Sequence, residues 1–278
     1  MEELVAAVLV GGPMLADRIQ ASGNDPEKGN GMSKRNTFDI LLLIARPGAG
    51  KSEVIDYLKH VREEERVRRF HIGPFEEIDD FPMLWAWMEE DQLLENMGHP
   101  RLHTDPDGYF LHQYLWDVLI ERIGLEYQKR QRGRAAGDRS PATIVEFSRG
   151  REHGGYRSAF SHFPAEMLPK MAVLYIDVSW EESLRKNRKR FNPEKPDSIL
   201  EHALPDAKLE RLYREVDWPE MTGGDPQYLH MQGIRVPYVV FDNSDDVTTA
   251  RGEALGTRLE VSLQRLWQIS EVSATDVK

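Results

Sequence analysis

Short apolar runs and longer amphipathic stretches take turns along this chain. Residues 38–44, 67–72, 143–147, 172–178 and 237–241 are rich in apolar, β-branched or aromatic side chains and predict strands. Between them, apolar positions recur at helical spacing over residues 51–62, 81–96, 110–130, 181–190 and 251–269. Strands that alternate with helices form βαβ units, so the expected fold class is α/β, a parallel sheet covered on both faces. Sheets of this kind bind ligands beyond the carboxyl ends of their strands, which makes the strand-end residues the ones to inspect.

The ends of the chain are different. Residues 1–20 have a weak amphipathic pattern, and the stretch "ASGNDPEKGNGMSKRNT" after them reads as a linker, so residues 1–36 are expected to be a flexible N-terminal extension without a chemical role. The main domain is expected over residues 37–270, with a short tail from 271 to 278.

Composition narrows the class. With 278 residues, 40% hydrophobic and 30% charged, the chain has the makeup of one elaborated soluble domain. No run approaches the roughly 18 apolar residues that would span a bilayer, and Met1-Glu2-Glu3 lacks the positive start of a secretory signal. The absence of Cys excludes disulfides, zinc-thiolate sites and cysteine nucleophiles, and a cytoplasmic protein is the simplest expectation. A formal charge of −11 opposes a nucleic-acid partner, whereas small anions can still be held by local arginines. A homodimer stays open as a partner.

One motif carries specific chemistry. "ARPGAGKS", residues 45–52, fits G-x-x-x-x-G-K-[ST] with Ala45 in place of the first Gly, directly after a strand run and at the start of a helical one. Gly48 and Gly50 let the loop turn its N–H groups inward, so the backbone from Pro47, Ala49 and Gly50 to Glu53 can wrap phosphate oxygens at a helix N-terminus. Lys51 supplies a cation for the β and γ phosphates, and the Ser52 hydroxyl is a ligand for Mg²⁺.

On these residues the chain resembles P-loop kinases that phosphorylate nucleosides, nucleotides and other small molecules, of the adenylate- and thymidylate-kinase-like type. The resemblance implies a three-layer fold with a five-stranded parallel sheet and a lid insertion, ATP with Mg²⁺, and a small-molecule acceptor. It places the acceptor region at about residues 74–135 and the lid at about 181–230. Glu146 at the end of "ATIVEF" is then the candidate to orient Mg²⁺ or act as a base, and Arg149 to grip the acceptor or the moving phosphoryl group. Asp79 and Asp80, with Glu77, cluster where such kinases begin to bind the acceptor. Arg185 and Arg188, on one helix face before a Pro-containing break, are the lid candidates, with Arg188 assigned to catalysis, Arg185 to the nucleotide and Arg190 beside them. Asn243 and Ser244 are candidates for contact with the base.

Several motifs have plainer readings. Asp177 rivals Glu146 as a metal carboxylate, but "DVSWEE" favours Ser179 as a helix cap with Glu182 three residues on. Phe81, Leu84, Trp85 and Met88 read as core before they read as an aromatic wall for a substrate, and His99, Arg101 and His103 read as a loop before a metal site. "PDSILEHALPDAKLERLYREVDWPEMTGGDPQY" is too polar for core and reads as an insertion. "NSDD" at 243–246 lacks the Lys of a guanine-binding N-K-x-D, and "DPDG" at 105–108 has no strand before it, so a GTP switch is disfavoured. The alternative from another class is an ATP-binding or slowly hydrolysing regulatory protein with no acceptor.

Overall fold

The computed structural model describes residues 36–134, 140–190 and 203–275. The expected N-terminal extension up to residue 35 and the centre of the expected lid, residues 191–202, lie outside them. In chain order the elements are β1 (Ile40–Ala45), α1 (Lys51–His60), α2 (Glu63–Phe70), β2 (Phe75–Asp79), α3 (Phe81–Asn96), α4 (Tyr114–Arg132), β3 (Ala142–Phe147) and α5 (Gly155–Ser161). They continue with β4 (Met171–Asp177), α6 (Trp180–Arg190), α7 (Asp206–Tyr213), α8 (Trp218–Thr222), β5 (Tyr228–Met231), β6 (Ile234–Asp242) and α9 (Glu253–Thr275).

The fold is α/β with a mixed, mostly parallel sheet of six strands in the order β2-β3-β1-β4-β6-β5. Five strands are parallel; β5 joins the edge antiparallel to β6 and corrects the expected five-stranded sheet. Gln232 and Gly233 both have positive φ between the paired Met231 and Ile234, the backbone of a tight two-residue hairpin. A Gln-Gly pair is a weaker turn signal than Asn-Gly, which is why the short strand before it was not legible.

β1 is central and wholly buried. Leu41, Leu43 and Ala45 face a core built with α1, α2 and α9, while Ile40, Leu42 and Ile44 face the other core with α4, α5 and α8. Two cores on two faces explain the continuous apolar run, since neither side of the strand meets water. β1 has β3 on one side and β4 on the other, so the loop leaving Ala45 emerges at the carboxyl edge of the sheet's centre.

The expected strand over 67–72 is a helix, α2, and the second strand is Phe75–Asp79. Glu63, Glu64 and Glu65 occupy its first turn and Arg68 and Arg69 its last, a charge order that favours the helix dipole. Arg66 is buried and donates to the carbonyls of Leu58, Val61, Ile72 and Gly73, and Arg69 pairs with Glu65, Glu253 and Glu260. Buried arginines with partners on every guanidinium nitrogen, Arg66 just ahead of the run and Arg69 within it, override its β propensity.

Four further expectations change. The helix expected from 110 starts at Tyr114, and α9 runs on to Thr275 into the expected tail. Phe81, Leu84, Trp85 and Met88 are only half-buried; α3 buries just Asp91, which accepts hydrogen bonds from the backbone of Leu102, His103 and Thr104 and so ties down the loop after it. The polar insertion does contribute core: Leu209, Leu212 and Tyr213 form a small cluster, and Trp218 stacks on Tyr175 at 4.2 Å. No described helix is long and apolar enough to cross a membrane.

Candidate functional site

The phosphate-loop motif folds between β1 and α1 at the carboxyl edge of the sheet. Ala45 is the last residue of β1, fully buried and paired with Ile176, so the position where the motif carries its first Gly is here an extended strand residue. Gly48 and Gly50 have φ of 73° and 108°. At Gly50 a Cβ would stand 2.5 Å from the Thr248 Oγ1, so both the backbone angle and the space demand glycine. No side chain caps the N-terminus of α1, which leaves its first-turn N–H groups for an anion.

A buried polar scaffold holds the loop from behind. Asn243, fully buried, donates from Nδ2 to the carbonyl of Ala49 at 2.9 Å and to Thr248 Oγ1 at 2.8 Å, while its Oδ1 accepts from the Thr248 N–H. Lys186 reaches Thr248 Oγ1 at 3.0 Å and Asp246 at 2.5 Å, and Ser183 donates to the carbonyl of Pro47 at 2.7 Å. The structure therefore places Asn243 as a support of the loop, with both ends of its amide used and no surface for a base; this corrects the expected base contact. Asn243→Ala leaves the Ala49 carbonyl without its side-chain donor and the Thr248 N–H without its acceptor, and is expected to lower stability by about 1–3 kcal/mol. Chemical denaturation measures the stability, and calorimetry should show an accompanying loss of nucleotide affinity.

In front of the loop stand a lysine, carboxylates and an arginine. Lys51 Nζ donates to Ser148 Oγ at 2.8 Å. Burial lowers the Lys51 pKa, and the negative charge of Glu146 opposes that shift. Glu146 on β3 pairs in register with Leu43 of β1 and with Asp79 of β2, so two carboxylates meet side by side on neighbouring strands. Burial raises both: Glu146 against the pull of Lys51 and Arg190, and Asp79 up to about 8 with the charges of Glu146 and Asp80 adding to it. Glu146 Oε2 and Glu53 Oε2 are buried without a hydrogen-bond partner.

These groups line a cleft of about 1210 Å³ whose walls include Ser52, Glu53, Asp79, Asp80, Glu146 and Arg190. Its far side is built by α3 and α4, with Met83, Leu119 and Ile123 as apolar lining. Asp80 and Arg149 form a buried ion pair at 2.5 Å. Arg149 also donates to the carbonyls of Ser148 and Trp116 and lies over the Trp116 and Phe147 rings, with only 2% of its surface exposed. It supports the strand ends and cannot reach a ligand in this arrangement, contrary to the expected grip on an acceptor.

The expected lid arginines separate. Arg185 pairs with Glu182 and Asp246, and Arg188 with Asp206 at 2.6 Å, both on the exposed side of α6. Their neighbour Arg190 is the one that turns to the loop, with Nη2 3.4 Å from Ser52 Oγ and its charge acting on Lys51 and Glu146. The helical offset explains it: positions 185 and 188 share a face, while 190 lies on another. Ser179 does cap α6, accepting the Glu182 N–H at 3.1 Å, the plainer reading of that stretch. Sequence reasoning missed Ser148, Lys186 and Thr248; none lies in a motif, and each acts through a partner at least 60 residues away in the chain.

The donor set fits a triphosphate with Mg²⁺. The Ser52 hydroxyl and the orphaned, buried Glu146 oxygen stand on the same cleft wall, beside a glycine cradle and a half-buried lysine. Among the described residues no group of three or more His, Asp or Glu is arranged to hold a metal alone, so most ligands of an ion here would come from phosphate and water.

No protein-family model matches the chain, and none of the curated proteins matches it. Among solved structures it is similar to an unliganded sugar kinase from Janibacter sp. HTCC2649, at 14% identity over 82% of this chain and 97% of that one, with a TM-score of 0.37. It is also similar to shikimate kinase from Acinetobacter baumannii in complex with shikimate, at 15% identity over 63% and 76% of the two chains and a TM-score of 0.28. A retinol dehydratase in complex with retinol and PAP aligns at 11% identity over 83% of this chain and 64% of that one, with a TM-score of 0.32. Similarity at this level assigns no activity to the chain.

Proposed function

We propose that the chain is a phosphotransferase that moves the γ-phosphoryl group of ATP to a small-molecule acceptor. The observation that carries this reading is the juxtaposition at one cleft mouth: the Lys51 phosphate loop on one side and the Asp79–Glu146 carboxylate pair on the other, over a cavity of about 1210 Å³. A nucleotide-operated switch, the reading from another class, needs the loop but not a cleft with buried carboxylates beyond it.

In the proposed reaction the acceptor hydroxyl oxygen forms a bond to the γ phosphorus. The bond from that phosphorus to the β,γ-bridging oxygen breaks, and ADP leaves with the electron pair. The acceptor proton passes to a carboxylate of the Asp79–Glu146 pair. Lys51 and the first-turn N–H groups of α1 hold the phosphates in line, and Arg190 offsets the charge that develops during transfer. Ser52, with Glu146 through water, would hold Mg²⁺, which when bound supplies charge neutralisation across the phosphates. A cytoplasmic setting and a small-molecule rather than a nucleic-acid partner are part of the same proposal, supported by the lack of Cys and the charge of −11.

The test is ATP turnover across a panel of nucleosides, nucleotides, sugars and vitamins. Stimulation by one acceptor, with its phosphorylated form found by mass spectrometry, is the expected result; slow hydrolysis of equal rate throughout would favour the switch. The arginines give a second check. Arg190→Ala is expected to lower kcat about 100-fold with a smaller change in ATP affinity, as for an interaction made mainly in the transition state. Arg188→Ala, whose side chain is 61% exposed and paired outside the cleft, is expected to change kcat less than about 3-fold. Equal losses in both variants would reject the assignment to Arg190.

A further inference from the structure

The cleft is charged throughout, but the charges are committed unevenly. On its walls Lys59 pairs with Glu77 at 2.8 Å, Arg130 with Glu126 at 2.9 Å and Arg251 with Asp56 at 2.5 Å. Arg149, two residues beyond β3, is buried, spends its salt bridge on Asp80 and gives its other hydrogen bonds to carbonyls. Arg190 stands at the loop end, against Ser52. Arg122 and Lys189 are exposed, where water screens them. The floor beyond the loop presents Asp79 and Glu146, with the Glu146 Oε2 buried and unpartnered; the cations whose charges act on it, Lys51 and Arg190, stand on the loop side, where the proposed reaction commits them to the phosphates of ATP.

A phosphate or carboxylate at that floor would add a further negative charge beside a buried carboxyl pair that already resists ionisation, or break an ion pair to find a partner. A hydroxyl donates to a carboxylate without that penalty, and an ammonium group gains from it. The apolar side chains of Met83, Leu119 and Ile123 add a wall suited to the carbon skeleton of such a ligand.

We infer that the acceptor is a polyhydroxylated small molecule, neutral or amino-bearing, whose hydroxyl or ammonium groups are read by Asp79 and Glu146, and that acceptors already carrying a phosphate or carboxylate at the reacting end are excluded. This rests on the phosphotransferase reading and narrows it, because nucleoside monophosphates and carboxylic acids leave the substrate class while nucleosides, sugars, aminosugars and polyols remain.

The test uses the full chain with saturating ATP and Mg²⁺ and acceptors in matched sets: a nucleoside with its 5′-monophosphate, and a sugar with its amino and phosphate derivatives. ATP binding is followed separately by calorimetry. The neutral or amino member of a set is expected to have a kcat/KM at least 10-fold above its anionic congener, and Asp79→Asn to lower kcat/KM for the amino member at least 10-fold while narrowing the gap to the anionic one. A wild-type preference for an anionic member, or no stimulation by any member while ATP still binds, overturns the inference. In the first case the phosphotransferase reading survives. Loss of ATP binding itself would instead overturn that reading, and this one with it.

Discussion

Replacing Lys51 with alanine is expected to weaken ATP–Mg²⁺ binding about 100-fold or more, the size of a charge-assisted contact of about 3 kcal/mol. The lysine is half-buried, donates among the described residues to Ser148, and feels the charge of Glu146. Burial already disfavours its charged form, so the free protein loses little when it goes, whereas the phosphates lose their closest cation. The folded state should persist, with a denaturation midpoint close to that of the wild type. Calorimetric titration with ATP–Mg²⁺ separates the two effects: an undiminished affinity would remove the loop from the proposed chemistry, and a collapsed midpoint would assign the lysine to folding.

Arg149→Ala should be the most destabilising of the changes considered, by about 3–5 kcal/mol, because it leaves the Asp80 carboxylate buried and unpaired. Asp80 is 7% exposed and Arg149 2%, and the guanidinium also fills space against Trp116 and Phe147. Removing both charges with apolar residues of similar volume, Asp80→Leu with Arg149→Met, should recover much of that loss, since the pair's own desolvation cost goes with it. Urea denaturation of the single and double variants checks the expectation. A mild effect of Arg149→Ala on stability with a large rise in KM for the acceptor would mean that the arginine leaves its buried seat to bind substrate.

Much of the layout is legible in the letters because it depends on local chemistry. The apolar run before the glycine turn, the turn itself and the periodic stretch after it become β1, loop and α1 in that order. The run "ATIVEF" becomes β3 with Glu146 near its end, and Ser179 caps α6. What misleads is wherever a long-range partner changes the meaning of a residue. Arg69 sits in a run that looks like a strand and Arg66 just ahead of it, yet their buried donors find carbonyls and glutamates only after α1 and α9 are in place. Arg149 looks like a free cation near an active site until Asp80 and Trp116 close over it. Asn243 looks like a base contact until Ala49 and Thr248 take both ends of its amide.

By itself the sequence determined the glycine turn between β1 and α1, the α/β layering and the acidic character of residues 76–80, because glycine torsion, hydrophobic period and residue charge are properties of a residue and its near neighbours. Tertiary structure decided which arginine of α6 faces the loop, that Asp79 and Glu146 stand side by side, and that Arg149 is spent on Asp80. Those outcomes depend on strand register, on which face a helix turns inward and on which charges lose water together. Each is set by contacts between residues far apart in the chain, so none could be read from any one stretch of it.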